Sequence, residues 1–181
     1  MMTTEFVKAN VKEHRSDLLS LNVAYMSWLF AEFDKFYGMS SAGAVGMEAP
    51  EYVASGLDKL FASAPPEGIF YLVKHQGKFT AMGGLRSLST DTAEIKRIYV
   101  QPDSRGAKLG SLILERLLDD ATAFGYKRVY LETAPFMKSA HRIYEAAGFV
   151  DRAPYPEAEV PEAFFEHWRF MERQLAPRGE A

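Results

Sequence analysis

Glu94-Ile95-Lys96-Arg97-Ile98-Tyr99-Val100-Gln101-Pro102-Asp103-Ser104-Arg105-Gly106-Ala107-Lys108-Leu109-Gly110 reads as a buried strand that runs through a basic, glycine-bearing turn into a helix. The helix carries Leu109, Ile113, Leu117, Ala121 and Phe124 on one stripe, so its free first-turn N–H groups and positive dipole end lie at Arg105 to Gly110. That junction is an anion site, and a diphosphate fits it.

Working outward, the helix stops at Gly125, Lys127 to Thr133 is rich in strand formers, and Pro135 breaks that strand. Ala140, Ile143, Tyr144 and Ala147 share one face of a short helix closed by Gly148, and Phe149 returns to strand. A Pro-rich connection, Ala153 to Pro161, leads to a final strand over Phe164 to Leu175 and a frayed tail over Ala176 to Ala181. Upstream, Ile69 to Val73 and Phe79 to Leu88 flank His75-Gln76-Gly77-Lys78, which predicts an antiparallel hairpin. Phe6 to Val11 alternates like an opening strand. Ser16 or Asp17 is placed to cap a helix whose apolar positions Leu19, Val23, Met26, Phe30, Phe33 and Tyr37 run to Gly38. Gly38 to Ala49 is expected to be a mobile loop, and Pro50 to Ala62 a second helix. The order β-α-α-β-β-β-α-β-α-β-β fits a mixed sheet with helices on both faces.

The chain has 181 residues, 48% of them hydrophobic, which suits one compact domain with a sizeable core. A net charge of -3 and a pI near 5.8 provide no basic field for nucleic acid, and no Lys/Arg block is interleaved with aromatics. No signal-peptide pattern begins the sequence and no apolar run reaches the roughly 20 residues of a membrane span, so a soluble, cytoplasmic protein with no membrane partner is expected. Cysteine is absent, which removes disulfides, thiolate ligands and an acyl-cysteine route. His14, His75, His141 and His167 are scattered, so no metal is expected.

Ile98-Tyr99-Val100-Gln101-Pro102, Arg105-Gly106-Ala107-Lys108-Leu109-Gly110 and Tyr144-Glu145-Ala146-Ala147-Gly148-Phe149 occur in an order and separation that resemble the GNAT superfamily of acyl-CoA-dependent N-acetyltransferases. The resemblance is clear from Ala93 to Phe149. It implies an α/β fold, with a mixed, mostly antiparallel central sheet of about seven strands and helices on both faces, and one N-acetyltransferase domain over residues 1–181. It also implies acetyl-CoA as co-substrate and an amine of a small molecule or peptide as acceptor.

In that family an Arg/Gln-x-x-Gly-x-Gly/Ala loop holds the pyrophosphate. Here Arg105, Gly106, Ala107, Lys108, Leu109 and Gly110 occupy that loop: Arg105 and Gly110 match the pattern, while Lys108 stands in the first glycine position and departs from it. A lysine is tolerable there if its backbone is ordinarily helical, and its ammonium adds charge toward phosphate. Ile98, Tyr99 and Val100 resemble the splayed strand whose bulge frees backbone groups for the pantetheine arm and the thioester carbonyl. The asparagine that relatives often carry at the last helix is Met137 in this chain.

Attack on a thioester by an amine with a pKa of about 10.4 needs a route for removing its proton. The position of Glu94 resembles the catalytic glutamate of some GNAT members, and Glu132 in the adjacent strand is the substitute. The bland alternative for Glu94 is an exposed strand-end carboxylate. Tyr144 matches the family's tyrosine that protonates the departing CoA thiolate, and its alternative is a packed core tyrosine. Trp28, Phe33, Phe36 and Tyr37 are candidates for an aromatic acceptor cleft, with Glu32 or Asp34 attracting a cationic amine and Tyr155-Pro156-Glu157 as an opposite wall.

A CoA-binding sensor without turnover is the competing reading. A nucleotide phosphate loop lacks its Gly-Lys-Ser/Thr ending here, and no Gly-x-Ser-x-Gly of a serine hydrolase occurs. The acceptor, the acyl preference and the oligomeric state, a homodimer included, stay open.

Overall fold

The computed structural model describes residues 3–176. Seven strands, β1 (Thr4–Lys8), β2 (Gly68–His75), β3 (Lys78–Ser87), β4 (Thr92–Val100), β5 (Arg128–Thr133), β6 (Val150–Asp151) and β7 (Arg169–Gln174), form one sheet. Its order is β1-β2-β3-β4-β5-β7-β6, antiparallel except for the β4–β5 pair. The helices are α1 (Val11–Tyr37), α2 (Ser41–Val45), α3 (Ala49–Leu60), α4 (Leu109–Ala123) and α5 (Lys138–Ala146). This is the mixed, mostly antiparallel architecture that the motif order implied.

Strand alternation sorts the core into two layers, because successive side chains leave opposite faces of a strand. From β2, Ile69, Tyr71 and Val73 join Ile113, Leu114 and Leu117 of α4 on one face. Phe70 and Leu72 join Leu18 and Leu21 of α1 and Val53 and Leu57 of α3 on the other. Each fully buried aliphatic side chain here contributes about 2 kcal/mol relative to exposure. A third cluster, Tyr155, Val160 and Phe170 with Phe164 and Trp168 against it, anchors the connection between β6 and β7.

Several boundaries differ from the sequence reading for local reasons. Asn10, not Ser16 or Asp17, caps α1: its side chain accepts from the N–H of Lys12 at 2.9 Å and of Glu13 at 3.4 Å. The opening strand consequently ends at Lys8, and a kink at His14 separates that capped turn from the rest of the helix. Within the expected loop Gly38 to Ala49, Ser40 caps α2 by accepting from Gly43 N–H at 3.0 Å. The last strand starts at Arg169, since Glu162–Phe164 forms a 3-10 turn. Of the tail Ala176 to Ala181, all but Ala176 lies outside the described residues.

Candidate active site

β4 and β5 pair only at Thr92↔Arg128, Ala93↔Val129 and Glu94↔Tyr130, and beyond Glu94 the two strands part. On its other edge β4 bulges: Met82 faces Tyr99 and Gly84 faces Lys96, so Gly83 alone opposes Arg97 and Ile98. Arg97 takes the left-handed φ of 60° that the extra residue requires. A Cβ on Gly83 would lie 2.5 Å from Cγ2 of Ile113, so the glycine lets α4 pack close beneath the bulge. Ile98, Tyr99 and Val100 thus line an opened strand gap.

Arg105 to Gly110 forms the turn from that strand into α4. Arg105 is tied back by Nε donating to Val100 O at 3.3 Å. Lys108 is the helix N-cap, with no capping side-chain hydrogen bond, and its φ of 57° and ψ of 18° are left-handed. The expectation of an ordinary helical backbone at Lys108 is therefore corrected. The loop needs a positive φ at this position, which is why glycine suits it, and a lysine there carries a cost of about 1 kcal/mol. Gly106 also has a positive φ, 93°. The first N–H groups of α4 keep no intrahelical acceptor, and Leu109, Gly110 and Ser111, which carry them, line the cavity. Gly110 sits 3.4 Å, by its would-be Cβ, from Cδ1 of Ile143, which brings α5 alongside.

These pieces share one cavity of about 770 Å³ that is also lined by Glu94, Glu132, Tyr144 and Met137. Glu94 is fully buried rather than an exposed strand end. Its Oε2 receives Arg86 Nε at 2.5 Å, its Oε1 receives the Tyr155 hydroxyl at 2.7 Å, and Lys96 Nζ lies 3.9 Å away. Burial and then the charge of Glu94 push the Tyr155 phenol far up, so it stays a neutral donor. Glu132 accepts from the N–H groups of Glu159 at 3.0 Å and Val160 at 3.4 Å. Burial, with the charges of Glu94 and Glu159 beside it, raises the Glu132 carboxyl to about 7. Glu159 is raised by burial too, but Arg97 and Lys96 outweigh this and hold it at about 2.

Tyr144 is buried at 8% exposure, and burial lifts its phenol above the ordinary range. Met137 begins α5 without a side-chain cap and receives the Thr133 hydroxyl on Sδ at 3.5 Å. Trp28 and Phe33 line the cavity, where Trp28 meets Phe136 at 6.1 Å and Phe33 meets Phe164 at 4.8 Å between ring centroids. Phe36 is half-exposed and, like Tyr37, packs beside that wall instead of lining it. Glu32 is paired with Lys35 at 2.7 Å, and Asp34 accepts from Ser41 N–H at 2.7 Å, so both are engaged within the α1–α2 corner. From the β6–β7 connection it is Glu159, Val160, Pro161, Phe164 and Trp168 that reach the cavity, while Tyr155 acts behind it through Glu94. Tyr25, Arg97 and Glu159 are lining residues that sequence reasoning passed over; the charged pair Lys96-Arg97 inside an apolar strand was the available signal for one of them.

Comparison with known proteins agrees with this geometry. The acetyltransferase (GNAT) family model matches residues 25–149. The IAA acetyltransferase of Azospirillum brasilense is 33% identical over 94 residues, covering 51% of this chain and 61% of that protein. The chain spans about three fifths of the length of the curated relatives it matches first. Among solved structures, an acetyltransferase from Streptococcus agalactiae superposes with a TM-score of 0.67 at 20% identity, over 96% of this chain and 98% of that one. The PaiA N-acetyltransferase of Thermoplasma acidophilum, in complex with coenzyme A, gives 0.64 at 15% identity, over 96% and 100%. At these identities the likeness is one of fold. With its splayed β4, its α4 anion turn and a family match over more than half its length, the chain belongs to the acetyltransferase (GNAT) family.

Proposed function

We propose that the protein moves an acetyl group from acetyl-CoA to the amine of a small acceptor by direct attack on the thioester. The observation that carries this reading is the single cavity joining the α4 N-terminus, the β4–β5 gap, Glu132 and Tyr144. The diphosphate of CoA binds the N–H groups of Gly106 to Gly110, with the charges of Arg105 and Lys108 alongside. The pantetheine arm pairs with the free edge of β4 at Ile98 to Val100. The complex of PaiA with coenzyme A supports this choice of co-substrate.

The acceptor arrives as an ammonium and gives up one proton before its nitrogen attacks the carbonyl carbon. Backbone N–H groups near Ile98 to Val100 stabilise the oxyanion of the tetrahedral intermediate. As it collapses the C–S bond breaks, the CoA thiolate takes a proton from Tyr144, and the second proton of the nitrogen passes through water to the Tyr144 phenolate and restores the phenol. Glu132, with its carboxyl near 7, is the base that receives the acceptor's proton, directly or through water. Glu94, whose two oxygens are held by Arg86 and Tyr155, orients the pocket wall beside it. The products are an N-acetylated amine and free CoA thiol. Thiol release from acetyl-CoA over an amine panel tests the reading; acetyl-CoA binding without release from any amine would favour a CoA-binding sensor.

A further inference from the structure

The cavity contains a cation with unspent hydrogen-bonding capacity. The Arg97 side chain is only 9% exposed, yet it lines the cavity. Its guanidinium carbon sits 6.0 Å from the Tyr25 ring centroid, and its Nη2 is 3.5 Å from Glu159 Oε1. Among the described residues, its buried Nε has no hydrogen-bond partner. An arginine carries five donors, and a buried one left with a single long contact is unusual because each unmet donor is costly. Glu159 is in any case shared with Lys96, whose Nζ is 2.8 Å from the same oxygen. Trp168 also lines the cavity, and among the described residues its buried Nε1 lacks a partner.

Charge counting points the same way. Arg86, Lys96 and Arg97 face Glu94, Glu159 and Glu132 in one cluster. When Glu132 takes up the acceptor's proton it becomes neutral, and three cations then face two carboxylates. An anionic group on the acceptor restores the balance at the moment of transfer. Beside this cluster the wall carries the aromatic residues Tyr25, Trp28, Phe30, Phe33, Tyr52 and Phe164.

Resting on the acetyl-transfer reading above, we propose that the acceptor is a small amino carboxylic acid with an apolar or aromatic side chain. Arg97 binds its carboxylate while its amine faces Glu132. The bulge in β4 is what turns Arg97 into the cavity, so the same distortion that opens the strand for the thioester also supplies acceptor specificity.

The test uses matched acceptors that differ only by the carboxylate: phenylalanine and phenethylamine, tryptophan and tryptamine, leucine and 3-methylbutylamine. Thiol release from acetyl-CoA is expected to favour the acid of each pair by about ten-fold or more in kcat/KM, the size of one charge-assisted contact. Arg97→Asn, a residue that tolerates a left-handed backbone, should collapse that ratio through a higher KM for the acids, and Arg97→Lys should retain part of it. Equal or better use of the decarboxylated amines, or a ratio unchanged in Arg97→Asn, would overturn the inference and leave the acetyl-transfer reading standing. Binding of the product N-acetylphenylalanine, read by thermal shift, reports the carboxylate site without turnover. A shift in the wild type that Arg97→Asn lacks supports the proposal, and no shift in the wild type counts against it. Absence of thiol release from every pair would instead contradict the acetyl-transfer reading itself.

Discussion

The hydroxyl of Tyr155 donates to Oε1 of Glu94 across 2.7 Å while Arg86 holds the other carboxylate oxygen. Arg86 reaches further, its Nη2 donating to the carbonyl of Glu157 at 2.8 Å. One buried carboxylate therefore fastens the β6–β7 connection to β3 and β4, and Glu132 fastens the same connection through the N–H groups of Glu159 and Val160.

The two glutamates should respond differently to removal of charge. Glu94→Gln leaves Arg86 without its buried partner and should destabilise the fold by about 3 kcal/mol, visible as a lowered Tm. Glu132→Gln gives up one of its two acceptor oxygens for backbone N–H, the longer 3.4 Å contact with Val160, so it should lower Tm less than Glu94→Gln while lowering kcat by about 10²-fold or more, as loss of a general base does. Parallel thermal melts and thiol-release kinetics on the two variants check this.

Glu132 also sets a pH dependence. Its carboxyl, raised by burial and by Glu94 and Glu159 to about 7, must be ionised to act as a base, so kcat should rise with pH through about 7 and then level off. Stability runs in the opposite sense. The folded state holds this proton while the unfolded chain, with an ordinary value of 4.5, has released it, so the group's stabilisation is full below 4.5 and is lost as pH climbs to about 7. Denaturant titrations at pH 5 and pH 8 should show this difference in the wild type and a smaller one in Glu132→Gln.

Tyr144→Phe removes the proton donor but keeps the ring packed against Phe149, 6.0 Å between centroids. Turnover should fall by about 10²-fold with CoA affinity and Tm little changed. Calorimetric titration with CoA beside steady-state kinetics separates the two effects, and unchanged turnover would remove Tyr144 from the chemistry.

Much of this site was legible in the sequence because motif residues are constrained by backbone shape. The strand-turn-helix pattern through Gly106 and Gly110 announces the anion turn, whereas the bulge at Ile98 to Val100 was legible only through the family resemblance. Lys108 misled on conformation, since a β-carbon at that position argues for a helical backbone while the loop closes only with a left-handed one. The acceptor pocket was less legible for a different reason. Arg97, Glu159 and Tyr25 meet from β4, the β6–β7 connection and α1, which are distant in the chain, and no local pattern marks such a meeting. Glu32 and Asp34 looked suitable by charge, but capping and pairing within their own corner had already claimed them.

The left-handed backbone at Lys108 makes a prediction of its own. Lys108→Gly relieves a cost of about 1 kcal/mol and should leave Tm equal or higher, whereas Lys108→Val, β-branched at a positive φ, should lower stability by about 1 to 2 kcal/mol. Melting curves of the two variants distinguish a strained cap from an ordinary first helical residue.

The central claim is that the turn from β4 into α4 holds the diphosphate of acetyl-CoA and directs its thioester into the β4–β5 gap. Calorimetric titration of the purified protein with acetyl-CoA at low ionic strength tests it most directly, beside Arg105→Ala and a control titration with pantetheine, which lacks the diphosphate. The account predicts saturable one-to-one binding that weakens by about ten-fold in Arg105→Ala and largely disappears with pantetheine. Binding of acetyl-CoA and pantetheine with equal strength, or no binding of acetyl-CoA, would contradict it.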